Sequence, residues 1–167
     1  MRIRPEKSEE FIEISKLNDV AFGGTDEGKI ILGLRQNAKP IISLVAEDNS
    51  KIIGHIIFSP VILITNPVLP IMGLGPMAVK PEYQRIGVGT KLVNVGLKMC
   101  AELNIKAVVV LGHPDYYPRF GFSPSIQFGI TSEYDVPKDV FMIKELQDDI
   151  LLGEKGIIKY HSTFESF

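Results

Sequence analysis

Residues Gln84-Arg85-Ile86-Gly87-Val88-Gly89-Thr90-Lys91 join an extended apolar segment to a helical pattern through two glycines one residue apart. A helix entered this way leaves its first amides unpaired, with the positive end of the helix dipole behind them, which makes an anion site. Gly87 and Gly89 would let a phosphate approach the backbone with no Cβ in the way, and Arg85, Thr90 and Lys91 would add charge or a hydroxyl. Two glycines also make an ordinary tight turn, so the spacing has to decide. A P-loop carries four residues between its glycines and then Gly-Lys-Ser/Thr, but here Thr90 separates Gly89 from Lys91. A dinucleotide-binding GxGxxG needs glycine where Leu92 stands. The pattern that remains is QxxGxG.

The surrounding elements must hold this turn in place. Arg2-Ile3-Arg4 reads as a short strand ended by Pro5, and a helix begins near Ser8, with Phe11, Ile12, Ile14, Leu17 and Val20 at helical spacing. After the loop FGGTDEG, the pattern predicts a second helix over Asp26 to Leu34, ending before Pro40. The stretches IISLVAE and KIIGHIIFSPVILI are rich in β-branched residues and flank Asp48-Asn49-Ser50, which predicts an antiparallel hairpin. LPIMGLGPMAV follows as a strand that Gly73, Gly75 and Pro76 should bend or bulge. Val88, Leu92, Val95, Met99 and Leu103 share one predicted helical face, and KAVVVLG reads as a buried strand, so the core is β-α-β. HPDYYPRFGF is a short helix or turn closed by Gly121, and Val140 to Glu145 and Gly156 to Tyr160 are two further predicted strands. The fold class is α/β of mixed type, in a single domain spanning 1–167.

Composition narrows the function. With 45% apolar residues among 167, the chain can bury one core of ordinary size. A formal charge of -2 gives no excess of cations for nucleic acid or an anionic membrane, so neither is expected as a partner. Cys100 is the lone cysteine and the three histidines are scattered, which predicts no disulfide, no zinc or other metal site, and a reducing compartment. The N-terminus is too charged for a secretory signal core, and the apolar run from Ile52 to Ile64 is broken by His55 and Pro60, so the expected location is cytoplasmic.

Following Val79-Lys80-Pro81-Glu82-Tyr83, the turn Gln84-Arg85-Ile86-Gly87-Val88-Gly89 resembles the (Gln/Arg)xxGx(Gly/Ala) turn of the GCN5-related N-acetyltransferase family. The resemblance implies acetyl-CoA as co-substrate, its pyrophosphate held by Gln84 and by the amides of Arg85, Ile86, Gly87, Val88, Gly89 and Thr90. It also implies a central, mostly antiparallel sheet with a splayed parallel pair and flanking helices, in which the pantetheine arm pairs with backbone groups of Met77, Ala78 and Val79. Tyr116-Tyr117-Pro118-Arg119-Phe120-Gly121-Phe122 is similar to the family's (Phe/Tyr)YxxxGF element, which puts Tyr117 near the cofactor sulfur. The implied activity is transfer of an acetyl group to a primary amine, on a small molecule or a protein, by direct attack. Homodimers are common in the family and compatible with this chain. A rival reading is a non-catalytic acyl-CoA-binding or sensor domain.

Acyl transfer from a thioester to an amine needs a base, an oxyanion donor and a proton for the leaving thiolate. A phenol with a reference pKa of about 10 can protonate a thiolate of about 8.5 at modest cost, which suits Tyr117 and, less well, Tyr116. The amide of Met77 or Ala78 can polarise the carbonyl. No Glu or Asp lies between Leu69 and Val79, a departure from family members with a carboxylate there. His113 and Asp115 are the remaining base candidates, though both also suit a turn. His55 reads as a core histidine, Glu82 as a solvated turn residue and Cys100 as buried packing. By the resemblance, the FGGTDEG loop faces the C-terminal strands to form the acceptor site, where Asp26 and Glu27 can attract a cationic amine or serve as capping residues.

Overall fold

The computed structural model describes residues 1–166. Strand β1 (Arg2–Pro5) precedes α1 (Phe11–Phe22) and α2 (Asp26–Asn37), followed by β2 (Ile42–Asp48), β3 (Lys51–Leu63) and β4 (Ile71–Val79). Helix α3 (Val88–Glu102) leads into β5 (Ala107–Leu111), and four short strands complete the chain: β6 (Ser123–Pro124), β7 (Ile130–Ser132), β8 (Phe141–Glu145) and β9 (Gly156–Lys159). The main sheet runs β1-β2-β3-β4-β5-β8-β6, with β9 added to the end of β3 and β7 beside it. Its β4 and β5 are parallel and its other pairs antiparallel, while β7 and β9 form a second, short parallel pair. The mixed, mostly antiparallel sheet with flanking helices is the expected fold class.

The predicted hairpin closes at Asn49 and Ser50, whose φ angles of 49° and 64° match the right-handed twist of the strands they join. Helix α3 lies on one face of the sheet over Phe58, Met72, Leu74, Val108 and Val110. On the other face, Ile14 and Leu17 of α1 and Ile31 and Leu34 of α2 cover Val45, Ile52, Ile57 and Ala78. With helices on both sides, β3 is buried almost throughout, which is why its sequence is a continuous apolar run.

Several details differ from the periodicity. On α1, Ile12 and Val20 are 74% and 69% exposed, and the third buried position belongs to Asn18. Its Nδ2 donates to the Ile14 carbonyl at 3.0 Å and lies 3.2 Å from His55 Nδ1, a polar pair that displaces apolar side chains from the buried stripe. On α3, Leu103 is 52% exposed, and the buried stripe is Val88, Leu92, Val93, Gly96, Leu97 and Cys100. Gly96 sets that face: a Cβ there would meet Phe58 Cε1 at 2.2 Å, so the helix rests on the ring. The first helix begins at Phe11, not Ser8, after a short 3-10 turn in which Glu10 Oε1 accepts from the Lys7 N–H at 2.7 Å. Helix α2 continues to Asn37, where Arg35 is held by Glu6 at 2.8 Å. Strands β6 and β7, of two and three residues, are too short to carry a period.

Candidate active site

Strands β4 and β5 pair from Ile71 with Ala107 to Leu74 with Val110, and then part. The break falls where Gly75 takes φ +129° and the register between β3 and β4 shifts between Ile56 and Phe58. Beyond it β4 stays paired to β3 alone, leaving its other edge open toward the end of β5. The register assigns that edge residue by residue. Lys80 N–H donates to the Ile53 carbonyl at 2.9 Å, so the same ladder pairs Ala78 with His55 and turns the main-chain groups of Ala78 toward β3. Met77 and Val79, one residue to either side, present theirs to the gap. Of the two candidate amides for polarising a carbonyl, Met77's is the one that faces the opening; Ala78's is spent within the sheet.

Two cavities meet at this gap. One, of about 600 Å³, runs along the glycine turn and is lined by Met77, Val79, Tyr83, Gln84, Gly87 and Thr90 among others. Arg85 with φ +65° and Gly87 with φ +93° fold the backbone so that successive amides converge at the N-terminus of α3. The Gln84 side chain lines this cavity yet donates its amide to the Val79 carbonyl at 3.0 Å, tying the turn back onto β4. Ile86, also in the expected set, is 69% exposed and does not line the cavity.

The second cavity, of about 550 Å³, has Leu74, Gly75, Pro76 and Met77 on one wall and Leu111, Gly112, His113, Tyr116 and Tyr117 on the other. Met77 and Tyr116 line both cavities, so the two adjoin at these residues. Its far end is closed by Phe22, Glu27 and Ile30 and by Tyr134, Tyr160 and Phe164 from the C-terminal part. Of the FGGTDEG segment, Phe22 at the end of α1 and Glu27 in the first turn of α2 line this cavity opposite the C-terminal aromatics, while the connecting residues 23–25 and the exposed Asp26 lie outside the lining.

Tyr117 is 8% exposed, with its ring packed against Tyr116, Phe120 and Phe122 at centroid distances of 5.1, 6.2 and 5.7 Å. It fits because residue 112 is glycine, where a Cβ would meet the ring at 2.3 Å. Burial, with a smaller contribution from Tyr116, pushes the Tyr117 hydroxyl up to about 12, making it a weaker acid than an ordinary phenol. The hydroxyl contact of this pair belongs to Tyr116, whose Oη lies 3.3 Å from Thr90 Oγ1 at the start of α3. His113 is exposed at the cavity wall, and its carbonyl accepts from the N–H groups of Tyr116 and Tyr117. Asp115 is exposed, lines neither cavity, and caps nothing, since the 3-10 turn that follows has no side-chain cap. His55 is fully buried between Asn18 and Ser43 Oγ, and burial lowers it to about 3, so it is a neutral structural residue.

Arg119 and Tyr83 line the glycine cavity, and the sequence did not single them out. The Arg119 guanidinium sits 4.3 Å from the centroid of the Tyr116 ring while its Nε donates to the Tyr116 carbonyl at 2.8 Å. A cation in an otherwise aromatic motif was the available signal. Tyr134, Tyr160 and Phe164 carried none, because they converge from segments far from the glycine turn. Among the described residues, no three His, Cys, Asp or Glu side chains cluster as metal ligands, and no helix is long and apolar enough to cross a membrane.

Comparison with known proteins agrees with this geometry. The chain is 33% identical over 148 residues to the uncharacterized N-acetyltransferase YhbS of Escherichia coli (strain K12), which covers 88% of each chain. The crystal structure of the GNAT family N-acetyltransferase YhbS from Escherichia coli in complex with CoA matches with a TM-score of 0.92 at 31% identity, covering 99% of this chain and 92% of that one. A GNAT family acetyltransferase from Brucella melitensis in complex with acetyl-CoA matches with a TM-score of 0.81 at 31% identity, covering 98% and 97%. The family model for the acetyltransferase (GNAT) domain matches residues 2–125. A splayed strand pair opening onto a glycine-capped helix, in a chain this similar to named N-acetyltransferases, means that the protein belongs to the GNAT acetyltransferase family.

Proposed function

We propose that the chain transfers an acetyl group from acetyl-CoA to a primary amine by direct attack. The observation that carries this reading is the placement of two adjoining cavities at the gap between β4 and β5, one along the bare amides at the start of α3 and the other lined by aromatic side chains. The fit to the co-substrate is physical. A Cβ at Gly89 would lie 3.2 Å from Tyr116 Oη and 3.6 Å from Met77 Cε, so a side chain added there would crowd the cavity that both residues line. The amides of Val88, Gly89 and Thr90 have no place in the helix ladder and suit the pyrophosphate. Arg119, also in the lining, adds a positive charge, and Met77 and the Val79 N–H offer main-chain groups to the pantetheine, the Val79 carbonyl being held by Gln84.

Bound acetyl-CoA supplies the activated acyl group as a thioester. The chain's own residues then do the rest. The Met77 amide polarises the carbonyl, His113 accepts the amine's proton through the open side of the chamber, and Tyr117 Oη holds the proton that goes to the departing sulfur.

Calorimetric titration with acetyl-CoA tests the reading, run beside Gly89→Arg and followed by an amine screen for released CoA. Micromolar binding that the variant loses while staying folded supports it. A folded wild type, free of copurified CoA, that binds no acetyl-CoA overturns it.

A further inference from the structure

The chamber that the amine must enter has an uneven charge inventory. Among its lining residues Glu27 is the one carboxylate, His113 is the one other ionisable group besides tyrosines, and no Lys or Arg is present. Phe22, Tyr134, Tyr160 and Phe164 make up most of the remaining far wall. Tyr160 packs tilted against Tyr134 and edge-on against Phe164 at centroid distances of 5.6 Å each, so the three rings form one cluster. Gly73 accommodates that cluster, since a Cβ there would meet Tyr160 Cε1 at 3.0 Å.

Each feature selects among amines. Aromatic faces attract an ammonium group and an apolar body, but they offer nothing to a carboxylate. With no cation in the lining, a substrate carboxylate would be desolvated without a partner and would face Glu27. A second ammonium group would meet the same difficulty, because Glu27 can neutralise one charge.

We infer that the acceptor is a small monoamine on an aryl or alkyl body with no carboxylate, drawn in as its ammonium by Glu27 and seated on the rings of Tyr134, Tyr160 and Phe164. This rests on the acetyltransferase reading and narrows its acceptor. The amino group enters protonated, loses one proton to the base, forms the new C–N bond as the C–S bond breaks, and passes its remaining surplus proton to solvent. The thiolate takes the proton held at Tyr117 and solvent returns one to the phenolate, so an amide, a free thiol and one net proton result.

Two matched pairs of amines isolate the two charge effects. Phenylethylamine and L-phenylalanine differ by the carboxylate, and hexylamine and hexane-1,6-diamine by the second ammonium. With release of CoA as the readout, kcat/KM should be at least about tenfold higher for the first member of each pair. Glu27→Gln should raise KM for phenylethylamine by about tenfold while leaving the calorimetric affinity for acetyl-CoA unchanged. Preference for phenylalanine or the diamine, an unchanged KM in Glu27→Gln, or turnover of none of the four amines by a protein that binds acetyl-CoA would overturn the inference. Failure to bind acetyl-CoA at all would overturn the acetyltransferase reading beneath it, and the same calorimetric samples tell the two failures apart.

Discussion

Replacing Tyr117 with Phe removes one oxygen from a ring held on several sides, and the structure sets what should follow. The ring contacts with Tyr116, Phe120 and Phe122 survive, so stability should change by less than about 1 kcal/mol. The chemistry should not be so tolerant. A hydroxyl raised to about 12 faces a thiol of about 8.5, a gap that makes complete proton transfer uphill by roughly 5 kcal/mol. Tyr117 therefore cannot protonate the sulfur in advance of bond cleavage and must do so as charge builds there. General acids acting this way contribute about 100- to 10,000-fold, so Tyr117→Phe should lower kcat by about 100-fold or more with the acetyl-CoA affinity unchanged. The raised value also fixes the pH dependence. Tyr117 must be protonated to act and stays so until pH approaches about 12, so no alkaline fall in kcat should come from it below about pH 11. Single-turnover release of CoA between pH 6 and 11, with calorimetry for affinity, measures both. An unchanged kcat would remove Tyr117 from the chemistry. A falling limb near pH 9 to 10 that disappears in the variant would refute the claim that burial weakens this acid.

Other perturbations test the remaining parts of the molecule. Arg119→Ala should weaken acetyl-CoA binding by about tenfold, flatten its salt dependence, and leave affinity for the phosphate-free S-acetylpantetheine unchanged, as calorimetry at two ionic strengths would show. His55 titrates at about 3 in the folded protein against 6.5 for the free side chain, so the unfolded state binds more protons between those values. Stability is then complete above about pH 6.5 and falls by roughly 4 to 5 kcal/mol as pH drops toward 3; His55→Gln should lessen that fall in denaturant melts at pH 7 and 4. Gly96→Ala should destabilise by about 1 to 3 kcal/mol despite alanine's better helix propensity, because its Cβ would overlap Phe58; an unchanged thermal midpoint would show that α3 can lift off the sheet freely.

Local rules made most of the fold and half of the site legible. The order of helices and strands followed from period and turn chemistry, and the cofactor turn followed from glycines whose spacing excludes other phosphate loops. Of the proposed acceptor end only Glu27 was legible; Tyr134, Tyr160 and Phe164 were not, because they join it only after the C-terminal segments fold back beside β4 and β5. Helical faces were misjudged where a partner overruled periodicity: Asn18 took a buried place on α1 because His55 lies beneath it, and Gly96 centres the face of α3 because Phe58 does.

The sequence alone determined that a strand must bend or bulge among Gly73, Gly75 and Pro76, that a helix must start with bare amides after Gly87, and that an aromatic pair stands downstream, since these are properties of residues close along the chain. Tertiary structure decided which groups face the opening. Whether the amide of Met77 or of Ala78 is free depends on hydrogen-bond register with β3, and whether Tyr117 is an ordinary or a weakened acid depends on the walls packed around it. Register and desolvation are set by neighbours distant in sequence, so no local pattern in the chain encodes them.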